Sequence, residues 1–279
     1  MLKEYFRKHG LFFYFLLTIV ITWGGIYMAV GLDGILGNEA IPDNRMPILY
    51  SVTLLGPIVS SLIMTALADG KAGFRNIGSR LFKWRNNIGW YALALLTVPL
   101  MVTGLLLILS RFSIKFTPAI LLEKNKGSLL ALGIFMGLAV GFFEEVGWTG
   151  FALPKLRERY SVLKSGLLLG IFWGLWHLPL FVASTKTSGS VSPIIYLVVL
   201  LFSFLPIYRV IMTWVYERTE SLLIAILMHA PLSASQLILI PPELSGTKLV
   251  VYNLIFSVLL WVMLGFLLVN EKQNQKIFK

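Results

Sequence analysis

Long apolar runs separated by short polar stretches set the pattern of this chain. Runs of about twenty residues recur at Leu11–Val30, Pro47–Ala68, Trp90–Ser110, Ser128–Leu153, Ser165–Ala183, Pro193–Tyr216, Leu222–Ile240 and Leu249–Val269. Each is long enough, as a helix rising about 1.5 Å per residue, to cross a hydrocarbon core of roughly 30 Å. The connections are too short for a separate soluble domain. The pattern therefore predicts an all-α, polytopic membrane protein of about eight transmembrane helices, with residues 1–279 as a single membrane domain. The first run follows Lys3, Arg7 and Lys8 as a signal peptide would. It exceeds the usual apolar core of about 7–15 residues and lacks a small-residue cleavage site, which predicts a retained helix.

Composition agrees with this picture and narrows it. Hydrophobic residues make up 57% of the chain, mean hydropathy is +0.81, and charged residues are only 13%. Soluble domains carry about 25% charge, so too little polar surface remains for disorder, a coiled coil or an ordinary soluble enzyme. The net charge of +11 does not point to nucleic acid, because the cations are spread between apolar runs instead of gathering in one segment. Topology explains them. The termini and the second, fourth and sixth loops hold about 16 Lys and Arg, the C-terminal share being Lys272, Lys276 and Lys279, whereas the opposite loops hold about seven. Cytoplasmic loops carry such an excess, so both termini are expected in the cytoplasm, here of a bacterial cell membrane. The segment Phe74–Arg85 interleaves cations with Phe74, Ile77, Leu81, Phe82 and Trp84, as an interfacial helix or a charged anchor loop would. The chain has no cysteine, which excludes disulfides, thiolate metal sites and a cysteine nucleophile.

Tyrosines aside, five ionisable side chains fall inside the apolar runs: Glu144, Glu145, His177, Arg209 and His229. A charge near a helix centre costs roughly 2.5–3.5 kcal/mol on insertion scales, a cost seldom carried without a use. Counted from the ends of their runs on the cation-rich side, Glu144, His177 and His229 lie roughly 14, 18 and 11 Å deep, so the three share a level. A carboxylate and two imidazoles from three helices suit water activation, with Glu as base and a histidine donating to a developing oxyanion. Structural histidines, or carboxylates along an ion path, are the alternatives.

Local sequence adds detail. Gly141, Gly147 and Gly150 surround the carboxylates, and Glu145 and Thr149 share a helix face. Trp173 lies one turn before His177, where its ring can pack on the imidazole. Pro179 and Pro231 follow the two histidines at the same offset, which predicts a kink beside each. Ser233 is four residues after His229 and faces the same way. Arg209 is the one Lys or Arg within a run, at a depth matching Glu145, so it is expected either to pair with that carboxylate or to snorkel to headgroups.

The stretches Glu144-Glu145-Val-Gly-Trp148-Thr149, Trp173-Gly-Leu-Trp-His177 and His229-Ala-Pro-Leu-Ser233 resemble the signatures of the CPBP family. These are intramembrane proteases related to type II CAAX prenyl endopeptidases and to bacteriocin-processing and self-immunity proteins. The resemblance covers residues 128–236 and implies a catalytic core in the fourth, fifth and seventh helices. It implies an endopeptidase acting on a peptide or protein near the cytoplasmic face, in which Glu144 activates water, Glu145 supports it, His177 holds the water and His229 stabilises the oxyanion. Trp148, Trp173 and Arg209 would support the site or the substrate, and Ser233 would extend the donor set. The resemblance leaves the use of a metal open, and zinc is compatible, since Glu144, His177 and His229 would form a His₂Glu ligand set. Thr149 stands where the first signature has Arg, and Ser233 where the third has Asn. A catalytically weak member acting by protein contact, as in bacteriocin immunity, and a proton-coupled transporter are the competing expectations.

Overall fold

The computed structural model describes residues 2–277, with side chains for residues 3–269. Lys279 therefore lies outside the described residues, as do the side chains of Lys272 and Lys276. The described chain is helical throughout, with thirteen α-helices. In order they are α1 Leu2–Leu36, α2 Met46–Ala68, α3 Lys71–Leu81, α4 Ile88–Ser110, α5 Ala119–Leu122, α6 Lys126–Gly147, α7 Leu153–Arg157, α8 Val162–Trp176, α9 Leu178–Phe181, α10 Pro193–Phe202, α11 Leu205–Thr219, α12 Leu222–Ile238 and α13 Gly246–Ile277.

Each expected run is largely helical, though not all are full-length spans. Six segments are long and apolar enough to cross a membrane: Lys3–Leu36, Asp43–Ala68, Ile88–Ser110, Lys126–Arg157, Pro193–Thr219 and Gly246–Val269. The fifth run is a broken span, with Val162–Trp176 and the segment Leu178–Thr187 bent by 51°. Pro179 supplies the reason, since its ring and missing N–H cannot continue α8. The seventh run, α12, is shorter at 17 residues. Ser221 caps its start by accepting from the Ile224 amide, and Pro241 and Pro242 follow its end. Pro231, expected to kink like Pro179, stays inside an unbroken α12. Pro206 divides the sixth run into α10 and α11. The Phe74–Arg85 segment forms α3 and a following turn, with Phe82 and Trp84 exposed, which favours the interfacial helix.

Two glycine stripes draw the central helices together. Gly133, Gly137 and Gly141 lie on the α6 face against α12, and a Cβ on Gly137 would sit 2.4 Å from the Ala230 carbonyl oxygen. Gly166, Gly170 and Gly174 do the same for α8 against α10 and α11, where a Cβ on Gly170 would sit 2.5 Å from the Pro206 Cα. Spacing of four keeps each stripe on one face, so backbones approach closely enough for side chains from different helices to meet. Large apolar residues on the outer faces, such as Phe12, Leu132 and Phe135, are exposed, as a lipid-facing surface requires.

Candidate active site

The two glutamates follow one another on α6 and so diverge by about 100° around its axis. Glu144 faces a cavity, and Glu145 faces the packed interior between α11 and α12. Both are buried, at 3% and 0% exposure. The Glu144 Oε2 accepts the indole N–H of Trp173 at 2.8 Å and that of Trp148 at 3.1 Å. His229 brings its Nε2 to 3.9 Å from the same oxygen.

Glu145 is held from three sides. Arg209 Nη1 donates to its Oε1 at 2.9 Å and its Oε2 at 2.8 Å, Thr149 Oγ1 donates to Oε2, and His229 Nδ1 donates to Oε1 at 2.7 Å. Arg209 therefore pairs with the carboxylate and does not snorkel. Its guanidinium also lies 4.3 Å from the Trp173 ring centroid, a cation–π contact that ties the ion pair to the residue holding Glu144. Both oxygens of Glu145 are occupied, and the carboxylate fixes the His229 ring with Nδ1–H inward and Nε2 toward Glu144.

His177 closes α8 beside the break. Its Nδ1 meets the Trp173 carbonyl at 2.8 Å, and because a carbonyl only accepts, Nδ1 carries the proton and Nε2 is left as an acceptor. The rings of Trp173 and Trp176 pack edge-on against it, at 5.6 and 4.5 Å between centroids. Trp173 thus packs on His177, as its spacing suggested, and also serves Glu144.

A cavity of about 470 Å³ joins these groups. Glu144, Trp173, His177, His229 and Ser233 all line it, so the structure brings the predicted trio and Ser233 to one space. Trp148, Thr149, Glu145 and Arg209 lie behind its wall. The lining continues through Gln236 and Leu237 to Pro241, Pro242 and Leu244, past the C-terminal end of α12. Gln236, Leu237 and Pro242 are exposed, whereas Glu144, Trp173 and His229 are buried, so the mouth is at the α12–α13 turn. The site lies nearer the cation-rich face but opens away from it.

The side toward the cation-rich face is sealed. Trp148–Ala152 form a π-helical turn, in which Pro154 has no N–H to offer the carbonyls one wide or one ordinary turn before it, those of Thr149 and Gly150. Arg80 of α3 supplies the missing donors, to Thr149 O at 3.4 Å and Gly150 O at 2.6 Å, and donates to the Tyr216 hydroxyl at 2.7 Å.

Among the described residues no three His, Cys, Asp or Glu side chains are grouped to hold a metal ion, and Glu144 Oε2 is already engaged by two indoles. Sequence reasoning missed the indole clamp on Glu144, the Arg80 seal, and Tyr208, whose hydroxyl donates to the Met228 carbonyl just before His229. The aromatic one turn after Glu144 was the available signal for the first. Nothing local marked the other two, because their partners are remote in the chain.

Residues 126–234 match a family model described as Rce1-like, "Type II CAAX prenyl endopeptidase Rce1-like". The chain is also 27% identical over 253 residues to CAAX prenyl protease 2 of Methanococcus maripaludis, covering 87% of this chain and 83% of that protein. Motifs, site and both likenesses agree in making residues 126–234 similar to the core of CPBP/CAAX-type intramembrane proteases.

Proposed function

We propose that this multi-pass membrane peptidase hydrolyses an internal amide bond of a peptide drawn into the cavity, with Glu144 as the base. The observation that carries this reading is the buried Glu144 carboxylate at the closed end of the cavity, its Oε2 fixed by two indole donors and its Oε1 left for water. His177 Nε2 accepts a hydrogen bond from that water and orients it. The water oxygen attacks the scissile carbonyl carbon as Glu144 takes its proton. The oxyanion that forms is met by a proton on His229 Nε2, a state in which the His229 and Arg209 cations balance the two carboxylates. Glu144 then delivers its proton to the amide nitrogen as the carbon–nitrogen bond breaks.

Arg209 supplies Glu145 with the cation that Thr149 does not, which supports an active enzyme over a binding-only relative. The side chains packed behind Glu145, among them Arg209, Thr149 and Tyr208, are all buried, which supports an enzyme over a transporter. The test is cleavage of a quenched peptide library by protein purified in detergent. Glu144→Gln and His177→Ala are expected to lose at least a hundredfold in rate while keeping the wild-type melting behaviour. Full activity in Glu144→Gln refutes the assignment.

A further inference from the structure

Contacts divide the ends of the helices into two faces. On one, Arg159 donates to the Lys8 carbonyl, Lys155 and Arg7 both lie on Asp69 at 3.4 and 3.6 Å, Lys83 pairs with Glu220 at 2.7 Å and Arg157 with Glu217 at 2.7 Å. The N-terminal end of α1, the α2–α3 and α7–α8 turns and the α11–α12 turn therefore form one surface, and it is the cation-rich one. On the other, Lys186 donates to Asn38 and the Ala119 amide to the Leu239 carbonyl, which gathers the remaining turns.

The mouth of the cavity belongs to the second face. Gln236, Leu237 and Pro242 are its exposed rim, and the lining runs inward from there to Glu144 and His229. Toward the cationic face the path is closed, first by the Glu145–Arg209 pair and then by the buried Phe151, Leu222 and Ile224 under the Arg80 seal. The cation excess marks the cytoplasmic side of a membrane protein.

From these two observations, and resting on the peptidase reading above, we propose that the site is served from the non-cytoplasmic face. Its substrate is then an internal, uncharged stretch of a peptide that has already crossed or is anchored in the membrane. The lining contains no Lys or Arg to meet a free carboxyl terminus, and its polar groups beyond the catalytic set, Ser233, Gln236 and Asn253, suit neutral peptide amides.

The natural absence of cysteine makes the test direct. Gln236→Cys at the rim and Ser79→Cys on the exposed surface of α3 are treated with a membrane-impermeant maleimide in intact cells and in sealed inverted vesicles. Gln236→Cys is expected to label in intact cells and Ser79→Cys only in inverted vesicles. Labelling of Gln236→Cys only from the inverted side, or equally from both, overturns the proposal. A quenched, membrane-impermeant peptide that the detergent-solubilised protein cleaves is then offered to right-side-out and to inverted vesicles of the wild type. Cleavage at least tenfold faster in the right-side-out vesicles supports the proposal, and the reverse overturns it. If no peptide is cleaved even in detergent, the peptidase reading and the substrate class fall together, while the labelling still decides which face the cavity serves.

Discussion

Arg209 offers the sharpest perturbation because the cation and its carboxylate are both fully buried and meet through two hydrogen bonds, at 2.8 and 2.9 Å. Replacing Arg209 by Met removes the charge and keeps much of the side chain's volume, so cavity effects are small. Glu145 retains Thr149 and His229 but loses its only fixed cation. Two hydrogen bonds between charged groups contribute about 1.5–3 kcal/mol each, and breaking one member out of a buried pair costs about 3–5 kcal/mol, so the two routes agree. That is about two to four powers of ten in the folding equilibrium. The assay is chemical unfolding in detergent micelles, followed by tryptophan fluorescence, because Trp173 stacks on the guanidinium.

A double-mutant cycle with Glu145→Gln isolates the pair, and the expected coupling is about 2–3 kcal/mol, since neighbours in one network are strongly non-additive. Thr149→Arg in the Arg209→Ala background tests whether the position of the cation matters: a guanidinium one turn along α6 is expected to recover half or more of the lost stability. An Arg209→Met protein within about 0.5 kcal/mol of wild type, or a coupling near zero, refutes the reasoning, because it means the carboxylate is not carried by this cation.

Trp173→Phe keeps the aromatic packing on His177 and deletes one donor to Glu144; peptide cleavage is expected to fall about tenfold to a hundredfold in kcat/KM with folding intact. Gly137→Leu drives a side chain into the Ala230 carbonyl and is expected to abolish folded protein in size-exclusion chromatography, while Gly104→Ala, with open space around it, changes nothing measurable. On the cation-rich surface, Lys83 holds the Glu220 carboxyl below the ordinary carboxylate range through a 2.7 Å hydrogen bond. The stabilisation is present above the ordinary carboxylate pKa and is lost as pH falls through the depressed one; Lys83→Ala is expected to return Glu220 to its ordinary range, read by NMR titration.

What the sequence made legible was governed by burial cost and helix period. Charges are expensive in apolar runs, so Glu144, Glu145, His177, Arg209 and His229 stand out in the sequence, and depth counting at about 1.5 Å per residue puts Arg209 at the level of Glu145 without choosing between pairing and snorkelling. The same arithmetic could not separate the two glutamates' roles. Adjacent residues have the same depth and differ only in azimuth, and it is azimuth that gives Glu144 the cavity and Glu145 the ion pair. Proline positions tell the same partial story: the chain breaks by 51° just before Pro179, whereas Pro231 lies inside an unbroken α12, so the residue type alone does not decide the outcome.

The direction of the cavity lies one level further from local sequence. Depth counting fixes how far Glu144 is from each face but not which face the site opens to. Access depends instead on which end of the helix cluster is filled. At the cationic end, Trp148, Phe151, Leu153 and Leu156 follow the glutamates closely, and Arg80 from a separate helix satisfies the carbonyls left open by the π-helical turn. At the other end, the break after Trp176 turns the chain aside by 51°, and the cavity runs out past His177 and His229 to the exposed Gln236, Leu237 and Pro242. A histidine placed at a helix break is thus both a catalytic candidate and a marker of where the bundle opens. The prolines that follow such residues, Pro179 here, report the route of entry better than distance from the membrane surface does.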